Sequence, residues 1–396
     1  MILIRADGNA RIGMGHLMRC MTVAEELAML QGSREGICFV CADEASGEFV
    51  RENGFRSYVL GTDYRDMESE LPQWKEVWAL SPHKRAKVLV DSYYVTDLYL
   101  EALGRTGYTV LMDDYGTHCY PVDCVINYNA PADLEAYRKL YGKTGSRLLI
   151  GSSHTPLRRQ FRMAAEGNRE EGPESMGHNS GAGATPSVQP SGKEGNKPER
   201  AVQPSMEPSW TKGSQPEGAG QESVREVLIT TGGGDSGNIA GKILDRIYND
   251  NFLLHVVTGR FHPNFRELQE TEKKHGNIQL HHDVKDMAGL MARCQIALTA
   301  GGTTIYELAA LGVPFICFSY AENQEALVAY IGEKEIADSA GNWHKEPEPT
   351  LDRIGILFEK LAKDPGRRAY YRRREKGMVD GEGAVRLARE LLKPDA

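Results

Sequence analysis

The chain has 396 residues, 40% hydrophobic, 26% charged and 8% aromatic, with a formal net charge of -8, a profile that fits a globular protein of two or three domains. An acidic balance without a dense Lys/Arg stripe argues against a nucleic-acid partner, and the RRAYYRRREK run near the C-terminus reads as a solvated helix face. No window of about 20 apolar residues occurs and MILIRADG is too short and polar for a secretory signal, so a soluble, cytoplasmic protein away from the membrane is expected. A monomer is the expected state, although no sequence pattern fixes it.

The first apolar run, ILIRAD, leads into GNARIGMGHLMRC. From Gly15 on, Leu17, Cys20, Met21, Ala24, Leu27 and Ala28 recur at helical spacing, so a loop ending in Gly13, Met14 and Gly15 feeds a helix with His16 in its first turn. The glycines allow close backbone approach to a ligand. Met18 stands where a dinucleotide fingerprint needs its third glycine, which argues against a nicotinamide cofactor, and no cofactor is expected. A helix N-terminus favours a neutral imidazole, which suits His16 as a general base; a helix cap or a phosphate contact is the competing role.

GICFVCAD, KVLVDSY, TVLMDD, CVINYN and RLLIGSS follow as short runs rich in Val, Ile and Leu, the pattern of strands buried on both faces of a parallel sheet. Ligands of such sheets bind outside the carboxyl ends of the strands, which makes Asp91, Tyr93, Asp113 and Asn127 substrate-facing candidates beside Asp114 and Asn129. Adjacent carboxylates on an extended segment point to opposite sides, and no third ligand stands near Asp113 and Asp114, so no metal is expected there. Seven cysteines, mostly inside apolar runs, read as reduced core residues.

Residues 163–224 are dominated by Gly, Pro, Ser and Glu and are read as a disordered insert or linker. They separate an N-terminal domain, 1–162, from a C-terminal one, 225–396, whose last helix is free to pack back on the first domain. The second half repeats the strand scheme with REVLITTGGG, FLLHVVTG, NIQLHHD, QIALTAGG and PFICFSY. Its first strand ends in a glycine turn with Gly233 and Gly234 suited to phosphate contact. In LTAGGTTIYELAALGVP, the backbone N–H groups of Gly302, Thr303 and Thr304 and the helix dipole offer a diphosphate site. Glu307, one turn on, is placed to bind ribose hydroxyls or to partner the helix dipole.

IRADGNARIGMGHLMRC, VLVDSYY, VLMDDYG, ITTGGGD, LTAGGTTIYELAALGVP and DGEGAVRLARELL together resemble the UDP-sugar hydrolases of pseudaminic acid biosynthesis. The resemblance runs through both halves and leaves out only the insert. It implies an α/β fold of two Rossmann-like domains facing a cleft, as in glycosyltransferases of the B type. It implies hydrolysis of UDP-2,4-diacetamido-2,4,6-trideoxy-β-L-altropyranose to the free sugar and UDP without a metal. It places His16 as the base that activates water, Tyr93 (or Tyr94, one residue on) near it, Glu307 on the ribose, and Asn323 and Gln324 near the sugar and phosphates. Two rival readings are a glycosyltransferase using a sugar or lipid hydroxyl in place of water, and a non-catalytic nucleotide-sugar-binding subunit.

Overall fold

The computed structural model describes residues 1–9, 11–80, 85–163, 223–232, 235, 237–260 and 262–394. Nearly all of the 163–224 insert, together with Gly233 and Gly234, lies outside the described residues.

Two parallel sheets carry the fold. The first comprises β1 (Ile2–Ala6), β2 (Ile37–Cys41), β3 (Arg56–Val59), β4 (Lys87–Asp91), β5 (Tyr108–Met112), β6 (Cys124–Asn127) and β7 (Arg147–Ile150), in spatial order 3-2-1-4-5-6-7. The second comprises β8 (Glu226–Thr230), β9 (Leu253–Thr258), β10 (Ile278–His282), β11 (Ile296–Ala300), β12 (Phe315–Ser319) and β13 (Asp338–Asn342), in order 10-9-8-11-12-13. Both orders are the doubly wound arrangement, in which the winding direction reverses between the first and fourth strands of the sheet.

The apolar runs form strands because both of their faces are covered. Ile2, Ile4 and Ala6 of β1 enter one buried cluster and Leu3 enters another on the opposite face. The same alternation splits Cys38 and Cys41, which share C-x-x-C spacing on β2, between these two clusters. They therefore point apart, and all seven cysteines are free.

The first helix, Gly15–Gln31, buries Leu17, Cys20, Met21, Val23, Ala24 and Leu27 and stops at Gly32, whose φ of 68° is the left-handed conformation glycine supplies at helix ends. The helix Gly383–Leu392 packs against it, contributing Leu387, Ala388 and Leu391 to the same cluster. Arg147 of β7 pairs with Glu390 of that helix at 2.8 Å. In the basic run, the helix Pro365–Glu375 has a core side: Arg368 and Tyr371 are buried, and the Arg368 guanidinium donates to the Leu361 and Ala362 carbonyls at 2.7 and 2.9 Å. That differs from a helix solvated all round, because Arg368 closes the end of the preceding helix, Pro347–Lys363. Among the described residues, no helix is long and apolar enough to cross a membrane.

Candidate active site

The two sheets turn their carboxyl ends toward one another, and the cleft between them encloses about 370 Å³. It lies at both winding reversals: Gly13, Gly15 and His16 follow β1, Thr231 and Gly232 follow β8, and Gly301 to Thr304 follow β11. This is where the topology leaves a crevice with exposed backbone ends.

His16 sits in the first turn of the Gly15–Gln31 helix and is largely buried, with its ring on the cleft wall. Its Nδ1 lies 2.7 Å from Oδ1 of Asp91, the last residue of β4. A carboxylate only accepts, so Nδ1 carries a ring proton, and in the neutral ring Nε2 holds the lone pair. Among the described residues Nε2 has no hydrogen-bond partner.

Arg19, one helical turn beyond His16, binds Asp91 with both Nε, 2.6 Å to Oδ2, and Nη2, 2.5 Å to Oδ1. Its Nη1 reaches both oxygens of Asp114 at 3.0 Å and the Tyr128 hydroxyl at 2.7 Å. Burial alone would raise the Asp91 carboxyl, but Arg19 and then His16 outweigh it and hold Asp91 well below the usual carboxylate range. Asp91 is therefore an anion that fixes the imidazole, and Arg19 offsets much of its charge.

Tyr93 packs edge-on against His16, with ring centroids 4.4 Å apart. Its hydroxyl donates to Asp114 Oδ2 at 2.8 Å and accepts from Asn323 Nδ2 at 2.9 Å, the latter across the cleft. Desolvation and then Asp114 push the Tyr93 hydroxyl up, so it remains a donor at neutral pH. A second crossing runs from the Ala130 amide to the Tyr306 hydroxyl at 2.9 Å.

The far wall is the start of the helix Thr304–Leu311. The Gly302 amide is already bound to the Ala300 carbonyl at 2.8 Å, which leaves the Thr303 and Thr304 amides as donors toward the cleft. Gly302 has open space where a side chain would begin, so a ligand can lie directly on its backbone.

No protein-family profile matches the chain. A Campylobacter jejuni protein, UDP-2,4-diacetamido-2,4,6-trideoxy-beta-L-altropyranose hydrolase, is 20% identical over 335 residues, covering 84% of this chain and 96% of that protein. Spore coat polysaccharide biosynthesis protein SpsG of Bacillus subtilis is 27% identical over 168 residues, 41% of this chain and only 48% of that protein. Among solved structures, MurG of Acinetobacter baumannii superposes with a TM-score of 0.58 at 10% identity, covering 99% of both chains. The fold is of the glycosyltransferase B type.

Within this glycosyltransferase-B frame, His16, Gly13, Gly15, Tyr93, Gly302, Thr303, Thr304, Asn323 and Gln324 all line the cleft. Gln324 also accepts the Tyr320 amide at 3.1 Å, pinning the loop after β12. Asp91 stands behind His16. Three other predicted contacts face elsewhere. Asp113 accepts from the amides of Tyr115 and Gly116 and from the Tyr137 hydroxyl, so it shapes a turn, while Asp114 takes the cleft side. Asn127 donates to Tyr137 at 2.8 Å and accepts the Asn129 amide, and Asn129 lines the cleft instead. Glu307 is buried away from the cleft lining and bound by Arg158 through Nε at 2.9 Å and Nη2 at 2.7 Å. Both contacts fall on Oε1, which joins the two halves and leaves Oε2 able to accept a further hydrogen bond.

Sequence reading missed Arg19, Tyr128, Tyr306 and Arg158. The signal for Arg19 was an arginine three residues after His16 and beside Cys20, on the face of the helix that turns inward. The other three offer no local pattern, because their partners lie far away in the chain.

Proposed function

We propose that the chain hydrolyses a UDP-linked diacetamido-trideoxy sugar, UDP-2,4-diacetamido-2,4,6-trideoxy-β-L-altropyranose, to the free sugar and UDP. The observation that carries this reading is a histidine base held by a buried carboxylate, facing across the cleft two helix-terminal amides suited to a diphosphate. The Campylobacter relative, matched over nearly its whole length, supports the substrate class.

In this mechanism His16 Nε2 takes a proton from water as the water oxygen bonds to the anomeric carbon. The bond from that carbon to the diphosphate oxygen breaks, and UDP leaves with the electron pair, inverting the centre through an oxocarbenium-like transition state. Asp91 stabilises the imidazolium that forms, and the Thr303 and Thr304 amides take up charge on the departing diphosphate. UDP is a good leaving group, so the main demands on the protein are to place the water and to receive that charge.

The test is UDP release by the wild type and by His16→Ala, in EDTA and without an acceptor. Release by the wild type that falls about 100-fold or more in the variant supports the reading. A wild type that binds UDP yet releases none without an acceptor sinks it in favour of a transferase.

A further inference from the structure

We propose that Glu226, His255 and Cys294 form a binding site for one zinc-class divalent cation at the end of the C-terminal sheet remote from the cleft. Glu226 opens β8, His255 is the third residue of β9, and Cys294 closes the helix Met287–Arg293 just before β11. Strand register brings them together. Leu228 pairs with His255 in the parallel ladder, and Glu226 lies two residues before Leu228, so Glu226 and His255 share a face. Cys294 belongs to the same buried cluster as Leu228.

One ligating atom from each residue lies within 4.8 Å of the other two. His255 Nε2 and Glu226 Oε2 are 3.0 Å apart. Ligand bonds of about 2.0 to 2.3 Å require donors about 3.3 to 3.8 Å apart, so closure needs side-chain shifts of about 1 Å. The other ring nitrogen of His255, Nδ1, is 2.9 Å from His281 Nε2, the outer hydrogen bond that orients a metal-binding imidazole. The Cys294 thiol has a single weak contact, 3.4 Å to the Leu290 carbonyl one turn back.

One nitrogen, one oxygen and one sulfur donor suit zinc or cobalt rather than magnesium or calcium, with water in the fourth position. On binding, the thiol gives its proton to solvent, and a carboxylate, a thiolate and a neutral imidazole then balance a 2+ ion. The nearest competing cation, Arg293, stands 3.9 Å from Glu226 on a side chain 59% exposed, and is free to swing into water. The ion would join the starts of β8 and β9 to the approach to β11, about 16 Å of strand away from Thr231, where the cleft lining begins.

The test uses the intact chain, reduced, stripped with chelator, desalted and titrated with Co²⁺. The expected result is one equivalent bound with a thiolate-to-cobalt charge-transfer band and intense tetrahedral visible bands, displaced by Zn²⁺. Cys294→Ser should abolish the charge-transfer band, and Glu226→Gln should weaken binding at least about tenfold. Far-UV circular dichroism checks folding, and His255→Gln serves if Cys294→Ser does not fold. No charge-transfer band at one equivalent, or a band that persists in the variant lacking Cys294 or His255, overturns the proposal.

Discussion

Replacing Asp91 with asparagine keeps the shape of the group behind His16 but removes one acceptor. The carboxylate now serves His16 Nδ1 at 2.7 Å and two Arg19 nitrogens at 2.6 and 2.5 Å, all of them donors. An amide oxygen at the Oδ1 position keeps the bonds from His16 Nδ1 and Arg19 Nη2 and turns its NH₂ against Arg19 Nε alone. At the Oδ2 position its NH₂ would oppose Arg19 Nη2 and face Nδ1, which would then have to accept. The first arrangement opposes fewer donors and leaves the ring proton on Nδ1. The neutral amide, however, no longer stabilises the imidazolium that forms when Nε2 takes a proton from water. The expected loss is that of a general base, about 10²- to 10⁴-fold in kcat, or about 3 to 5 kcal/mol of barrier at 1.36 kcal/mol per decade. The assay is UDP release at saturating substrate for the wild type, Asp91→Asn, His16→Ala and the double variant. Because both changes disable one unit, the double variant should be no slower than His16→Ala. An Asp91→Asn enzyme within about threefold of wild type, or losses that multiply in the double variant, would refute the His16–Asp91 coupling.

Asp91 also links stability to pH. Its folded carboxyl is depressed, so its contribution is complete above the unfolded value of about 3.9 and is lost as pH falls through the folded one. Urea midpoints measured from neutral pH downward should therefore fall more steeply in acid for the wild type than for Asp91→Asn. Tyr93→Phe and Asn323→Ala remove the two ends of one cross-cleft hydrogen bond, and a double-variant cycle on UDP affinity should show coupling of about 0.5–1.5 kcal/mol; strict additivity would mean that the contact plays no part in binding. Gly302→Val should leave Tm nearly unchanged, since its Cβ meets nothing within 4 Å, while weakening UDP binding at least about tenfold. Gly301→Ala should do the reverse, losing about 1–3 kcal/mol of stability in urea melts because its Cβ would lie 2.6 Å from Val328 Cγ2.

The strands legible in the sequence were those carrying an apolar run, whether buried throughout or at a sheet edge, as in β7 (RLLI) and β10 (IQLHH). β1, β2 and β4 are buried at every position and stand out as apolar runs. The two that escaped, β3 (RSYV) and β13 (DSAGN), are edge strands with partly exposed residues, and β13 is rich in residues that ordinarily avoid strands. In the site, residues adjacent to a glycine turn, such as His16 and Thr304, were readable because local backbone geometry places them. Asp113 and Asp114 were not separable from spacing alone: alternation says that they diverge, but only the packing of Tyr137 against Asp113 decides which one turns away from the cleft. Glu307 carries the same lesson. Its position in the first turn of a ligand-facing helix suggested a ligand contact, and the arginine that holds it comes from the other half of the chain.

The helix Gly383–Leu392 lies on the first helix, Gly15–Gln31, although the whole C-terminal sheet separates them in sequence. During synthesis from the N-terminus, the apolar residues of the first helix leave the ribosome long before Leu387, Ala388 and Leu391, which share their cluster. The N-terminal half thus cannot finish its own core on emerging, and an apolar stripe waits in water until the second half has been made. Maturation of the two halves is consequently a joint event, and the cleft between them takes shape in that same final docking.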